Sequence, residues 1–263
     1  MPQTSSIDAA WCRRYRPAQD PTARLAFFPH AGGSAAFFRP FAHAVDPAVD
    51  VVAVQYPGRQ DRMAEEPIRD LHALADRCAE VLAGPAQPEG LPLTLFGHSL
   101  GAVLAFEVAQ RLERQGAGPV HLFVSGRPAP GLPRPRQVAD AVHLRDDAGI
   151  IAEIRANGGT AAVILENEQV LRSALPALRA DYQAIETYRC APGAAVGCPI
   201  TAVTGDDDDK AGLPEVAAWD LHTTGHFEVR VLAGGHFYLS DHVQDICGLI
   251  ESSMKAQAAP VGC

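Results

Sequence analysis

The 263-residue sequence contains no apolar run approaching the roughly 18 residues that a membrane-spanning helix needs. Its opening segment, MPQTSSIDAAWCRRYRP, has no apolar stretch behind its charges, so it lacks the pattern of a secretory signal peptide. Six cysteines stand at positions 12, 78, 190, 198, 247 and 263, with no C-x-x-C pair and no histidine partner at zinc spacing. Such scattered cysteines read as small buried hydrophobes or free thiols of a reducing cytoplasm. Positive charge is also scarce. With 22 Lys and Arg against 31 Asp and Glu, the net charge of −9 argues against nucleic acid as a partner. Internal repeats and low-complexity tracts are missing as well. What is present is 47% hydrophobic and 20% charged residues, the composition of an ordinary soluble globule. The length suits one large α/β domain or two small ones.

Short apolar runs alternate with stretches of helical period, the pattern of a mostly parallel sheet covered by helices on both faces. The runs predict strands at Arg24–Phe28, Val49–Val54, Leu93–Phe96, Val120–Ser125, Ile200–Thr204 and Phe227–Leu232. Helices are expected near Ala35–Val45, Ile68–Leu82, Leu100–Gln115, Pro214–Trp219 and Tyr238–Ser252. The interval Gly126–Gly197 offers no convincing strand. It opens with a Pro/Arg-rich segment, RPAPGLPRPRQ, and continues with helical periods around Asp146–Ala156 and Asn167–Tyr188. Pro176 is expected to kink or divide the second of these. This interval reads as a helical lid inserted over the C-terminal edge of the sheet, where α/β folds bind ligands, with a helical subdomain packed for stability alone as the alternative.

The segment Leu93-Thr94-Leu95-Phe96-Gly97-His98-Ser99-Leu100-Gly101 is a strand, then G-x-S-x-G, then an Ala/Leu/Val-rich helix. A nucleophilic serine on so sharp a turn needs glycines two positions away on each side to avoid clashes. The following helix aims its N-terminal N–H groups at developing negative charge. Ser99 is therefore the candidate nucleophile. In this arrangement the base follows the last strand, which selects His236 in LAGGHF from the ten histidines. His242 reads as a surface residue, and His222 and His226 precede the strand at its wrong end. A loop after the first of these strands, FFPHAGGS, supplies a second candidate oxyanion donor: the backbone N–H groups of Ala31 and Leu100 form the expected pair. His30, His98 and Phe237 are candidate substrate-binding residues, with packing or turn roles as open alternatives for the two histidines.

Taken together, "FFPHAGGSAAFF", "VQYPGRQDR", "LFGHSLGAVLAFEVA", "PALRADYQAIETY" and "LAGGHFYLSD" resemble the type II thioesterases from about Arg24 to Ile250. These are stand-alone α/β-hydrolases that accompany polyketide synthases and nonribosomal peptide synthetases. The resemblance implies a single α/β-hydrolase domain over 1–263 with a mobile lid at about 126–197. It also implies hydrolysis of acyl groups from the phosphopantetheine arm of acyl or peptidyl carrier proteins, in an editing role. A monomer without cofactor or metal, in the cytoplasm, is expected, with neither nucleic acid nor membrane as partner. The flanks of the motif region favour a free-standing enzyme. Arg13, Arg14 and Arg16, or Arg127, Arg134 and Arg136, could steer an acidic carrier, or be plain solvated surface. Two departures from the family pattern stand out: four consecutive acids in VTGDDDDK, and the lid segment RANGGTAAVILENEQ.

The acidic run follows the strand Ile200–Thr204, where this fold places the acid that orients the histidine. Consecutive side chains cannot all converge on one ion, so a metal site is not expected there. The family spacing G-x-x-D from Gly205 selects Asp208, with Asp207 as the alternative register and the neighbouring acids solvated. Two rival readings of the whole remain: a carboxylesterase or lipase on small esters, since fold and triad do not separate these activities, and an inactive carrier-binding protein.

Overall fold

The computed structural model describes residues 10–84, 87, 90–132, 141–157 and 168–258. Seven strands form one sheet: β1 (Cys12–Arg13), β2 (Ala23–Phe28), β3 (Val49–Val54), β4 (Leu93–His98), β5 (His121–Ser125), β6 (Ile200–Gly205) and β7 (Phe227–Leu232). Their spatial order is β1-β3-β2-β4-β5-β6-β7. Every pairing is parallel except β1 with β3, where Cys12 faces Val54 and Arg13 faces Ala53. The six expected strands are all present, displaced by no more than two residues at an end. β1 escaped the sequence because two residues carry no periodicity, and it stands at the edge of the sheet with β3 as its one ladder partner.

Seven α-helices are described: α1 (Arg39–Ala44), α2 (Leu71–Leu82), α3 (Leu100–Arg114), α4 (Asp147–Asn157), α5 (Glu168–Thr187), α6 (Leu213–Ala217) and α7 (Val243–Ala258). Short 3-10 turns precede α1 at Ala35–Phe38 and α7 at Tyr238–Ser240, so the two expected continuous helices there are each broken. Asp70 caps α2 by accepting from the Ala73 N–H at 2.8 Å, which moves its start past Ile68. Pro176 lies inside α5 without dividing it. Burial of Leu175, Ala177 and Leu178 around it holds the helix against the ~3 kcal/mol that an interior proline costs.

The central strands are buried on both faces, and successive side chains alternate between two cores. Ala26, Phe28, Val52, Val54, Leu93 and Leu95 pack with α2 and α3. Leu25, Phe27, Val51, Ala53 and Phe96 point the other way, toward Phe38, Phe41 and Ile250. This is the α/β-hydrolase arrangement, and it puts the C-terminal ends of β2, β4, β6 and β7 along one edge of the sheet, with β5 between β4 and β6.

Between β5 and β6 lie α4 and α5, which bury a small cluster of their own: Val142, Ile150, Ile154, Leu175 and Leu178. Glu186 ties this insert together by accepting from the Val142 and His143 N–H groups at 2.9 and 3.1 Å. Beyond α5, Tyr188 donates to the buried Glu107 of α3 at 2.7 Å, fixing the far end of the insert to the sheet's helical layer. Arg134, Arg136, the start of the expected helix at Asn167 and most of RANGGTAAVILENEQ lie outside the described residues, as does Cys263. Cys12, Cys78, Cys198 and Cys247 are buried, and Cys190 is half-buried.

Candidate active site

At the junction of β4 and α3, Ser99 has φ 56° and ψ −114°, one of two non-glycine residues with positive φ among those described. L-residues avoid this region, and such strain persists only where the surroundings enforce it. Here they do. The Ser99 N–H donates to the Ser125 carbonyl at 2.8 Å. A Cβ on Gly97 would stand 2.0 Å from the Gly101 carbonyl oxygen, and one on Gly101 would stand 2.0 Å from that of Phe28. Both glycines of G-x-S-x-G are thus required by backbone contact.

His236 follows β7 and its side chain is 9% exposed. Its Nδ1 lies 2.9 and 3.1 Å from the two carboxylate oxygens of Asp208, whose side chain is fully buried. A carboxylate accepts, so Nδ1 is the donor of this pair and Nε2 is left for another partner. No other member of the acidic run bonds this imidazole. Asp206 instead accepts from the Gly234 N–H at 2.8 Å, and Asp209 faces Lys210 at 3.4 Å. The Lys210 N–H donates to Asp208 Oδ1 at 2.9 Å and fixes the second edge of that carboxylate.

Ser99 and His236 line one cavity of about 110 Å³ together with His30, Ala31, Leu100 and Phe237. Ile154, Tyr182 and Ile185 of the insert form the wall opposite, and Arg127, Glu153 and Lys210 add charged groups. The groups gathered here are a serine, an imidazole oriented by a carboxylate, and two backbone segments that offer N–H groups, the set that nucleophilic acyl transfer needs.

A family model for the thioesterase domain matches residues 23–254. The chain is 46% identical over 245 residues to Thioesterase PikA5 of Streptomyces venezuelae, covering 93% of this chain and 85% of that protein. It superposes on the type II thioesterase BorB of the borrelidin biosynthetic cluster with a TM-score of 0.86 at 47% identity, covering 95% of this chain and 99% of BorB. The chain belongs to the type II thioesterases. YbtT, the type II thioesterase of the yersiniabactin pathway, superposes with a TM-score of 0.83 at 33% identity, covering 95% of this chain and 100% of YbtT.

Two further histidines stand beside His236 in this thioesterase, and burial keeps both neutral. His30 is pushed down to about 3, first by burial and then by the charges of His236 and Arg59. His98 is held well below the usual imidazole range by burial, then by His236 and His30. Their places differ. His30 lines the cavity and stacks edge-on against Phe37 and Phe237, both at 4.8 Å between ring centres. His98 is not among the cavity's lining; it lies behind His236 with ring centres 5.0 Å apart. Its Nδ1 meets Ser125 Oγ at 2.9 Å, and that hydroxyl meets Tyr238 at 2.7 Å. His98 thus packs under the loop that carries His236 in the thioesterase.

Sequence reasoning did not assign the insert's contribution. Ile154, Tyr182, Ile185, Glu153 and Lys210 enter the site only through tertiary packing. One signal was available: Asp181 interrupts an apolar face of α5 between Leu178 and Ile185. An acid in such a place has a buried partner. That partner is Arg59. Its two terminal nitrogens donate to the Asp181 carboxylate at 2.7 and 2.8 Å. Elsewhere, His242 is half-buried and bonded to Asp245 and the Ala233 carbonyl, and His222, which does not line the cavity, bonds the Ala194 carbonyl at 2.8 Å. Among the described residues no cluster of three or more His, Cys, Asp or Glu could hold a metal ion, and no helix is long and apolar enough to cross a membrane.

Proposed function

We propose that this thioesterase hydrolyses acyl groups from the phosphopantetheine arm of carrier proteins, using Ser99, His236 and Asp208, in an editing role beside a polyketide or nonribosomal peptide assembly line. The observation that carries the reading is the Asp208–His236 pair at 2.9 Å opening onto the same cavity as the strained Ser99. The names of the relatives support the substrate class: YbtT is a type II thioesterase of an NRPS/PKS biosynthetic pathway, and BorB is one of a biosynthetic cluster.

The cycle follows from the groups present. Ser99 Oγ attacks the thioester carbonyl carbon while His236 Nε2 takes its proton. The Ala31 and Leu100 N–H groups receive the oxyanion. The C–S bond then breaks and the proton passes from His236 to the departing pantetheine sulfur. Water next attacks the acyl-serine ester, again deprotonated by His236, and the proton returns to Ser99 as the acid leaves. Asp208 holds the imidazole in the required tautomer and stabilises its charged form. The segment 126–197 serves as the lid, with α5 as its inner wall.

The test loads carrier proteins with acetyl, propionyl, malonyl or octanoyl groups and follows their release by intact mass. Release by the native chain and none by Ser99→Ala is the expected result. Rapid hydrolysis of simple oxygen esters with no release from any carrier would overturn the reading.

A further inference from the structure

We propose that Asp181 is a positioning residue of the hydrolytic site: it fastens α5 of the insert to the loop that carries Ala31, so that the oxyanion loop keeps its shape only while α5 is seated. The inference rests on the reading above, in which the Ala31 N–H receives the oxyanion.

The loop consists of His30, Ala31, Gly32 and Gly33, and both peptide planes that flank Ala31 are pinned. The first contains the His30 carbonyl and the Ala31 N–H. That carbonyl accepts from the Gly33 N–H at 2.9 Å, and because the plane is trans and rigid, the Ala31 N–H points the opposite way. The second contains the Ala31 carbonyl and the Gly32 N–H, which donates to Asp181 Oδ2 at 2.7 Å. The same oxygen accepts from Arg59 Nη1 at 2.7 Å, while Arg59 Nη2 reaches Oδ1 at 2.8 Å. Arg59 Nη1 also donates to the Gly33 carbonyl at 3.0 Å. One carboxylate and one guanidinium therefore hold the loop at Gly32 and Gly33.

Both ends of this clamp are dry. Asp181 is 2% exposed and Arg59 8%. A turn earlier on the same helix, Leu178 covers Gly32 so closely that a Cβ there would stand 2.2 Å from its Cδ2. Gly32 itself has φ +75°, so the loop reaches this approach in a conformation that other residues avoid. Lifting α5 would leave the buried Arg59 charge without its counter-ion and the Gly32 N–H without its acceptor. Such a pair separates together or not at all. Helix seating and loop shape are thus one event, and the same helix presents Tyr182 and Ile185 to the acyl cavity.

The experiment compares Asp181→Asn, Arg59→Lys and, as a control on the insert's outer side, Asp147→Asn, which removes the partner that Arg179 meets at 2.8 Å. For each, kcat and KM on an acetyl-pantetheine thioester are measured well below the melting temperature, with the rate of Ser99 labelling by a fluorophosphonate. That reagent places its phosphoryl oxygen in the oxyanion position. An asparagine has one acceptor oxygen and turns an NH2 toward the buried guanidinium, so it cannot hold Gly32 and both Arg59 nitrogens at once. The loss of loop register in Asp181→Asn should lower kcat about 10- to 100-fold, with KM nearly unchanged and labelling slowed in parallel. Arg59→Lys should follow in the same direction, and the double variant should be no slower than the slower single one. Asp147→Asn should match the native enzyme. Native kcat and labelling in Asp181→Asn, even with a lower melting temperature, would show a structural role alone and overturn the proposal. If Asp181→Asn does not fold, Arg59→Lys decides: it keeps the buried cation and loses the fork, so an unchanged kcat overturns the proposal equally. Activity surviving in Ser99→Ala would instead overturn the underlying reading of the site.

Discussion

Asp206 and Gly234 are joined by a 2.8 Å hydrogen bond from the Gly234 backbone N–H to the Asp206 carboxylate. The first acid of the run therefore holds the glycine pair that presents His236, and is more than a solvated neighbour. Two residues on, Asp208 bonds the imidazole itself. The run thus contains one carboxylate that orients the His236 imidazole and one that shapes its loop.

An asparagine series separates the two roles. In Asp206→Asn the side-chain amide oxygen can still accept from the Gly234 N–H, so this variant should retain most turnover. Asp208→Asn should lower kcat by about 10³–10⁴, because the amide no longer enforces the Nδ1–H tautomer or offsets the imidazolium charge. Asp207→Asn and Asp209→Asn should stay near native rate. Steady-state kcat across the four variants checks this; a crippled Asp207→Asn beside an active Asp208→Asn would shift the acid by one position.

Much of this site was legible because its parts are local. Ser99 is announced by its two glycines, and each acid or base by the strand it follows. Asp208 required family spacing, since four identical side chains carry no internal distinction. The insert was legible only as helix. Which of its faces meets the cavity depends on how α5 lies across the loop at Gly32, a contact 149 positions apart in sequence. The role of Asp206 was hidden for a related reason: an exposed acid reads as solvated until its backbone donor is known. β1 and the broken helix at Tyr238 fell below the length at which periodicity speaks.

Gly101→Ala tests the backbone contact beneath the nucleophile. Its Cβ would meet the Phe28 carbonyl at 2.0 Å, and neither partner is the end of a flexible side chain. The cost should be at least ~3 kcal/mol, or about 6–12 °C in Tm for a chain of this size. Gly248→Ala is the matched control. It sits exposed in α7 with nothing within 4 Å, so alanine should stabilise by roughly 0.5–1 kcal/mol. Thermal melts of the two variants should move in opposite directions; a native melt for Gly101→Ala would contradict the close approach.

Stability should fall with acidification through the buried histidines. Burial lowers His121 to about 4 and His30 to about 3, so both stay neutral in the native state while their unfolded counterparts take up protons near pH 6.5. Between those limits the unfolded chain binds more protons, and each histidine removes up to ~1.4 kcal/mol of stability per pH unit as pH drops. His121 lies far from the cavity and bonds Thr201 Oγ1 at 2.9 Å, which makes it the cleaner test. His121→Gln should lose about 2 kcal/mol less than the native chain between pH 7 and pH 5. Urea unfolding at the two pH values measures the difference; an unchanged loss would mean that His121 is protonated in the native state.

The length of acyl chain accepted should be set by the inner wall of the insert. A cavity of about 110 Å³ is far below the ~300 Å³ at which drug-sized ligands begin to fit, so it suits a short acyl group. Ile185 is 4% exposed and lines that cavity from α5. Truncating it to alanine opens space next to Ser99 without touching Asp181. Each methylene that gains a dry wall is worth ~0.8 kcal/mol, or about fourfold in kcat/KM. Ile185→Ala should therefore raise the octanoyl-to-propionyl preference by about tenfold or more, while the lost packing lowers stability by roughly 2–5 kcal/mol. Competition between the two acyl carriers in one reaction, read by intact mass, gives the ratio directly. An unchanged ratio at full folding would mean that the acyl chain runs elsewhere than along α5.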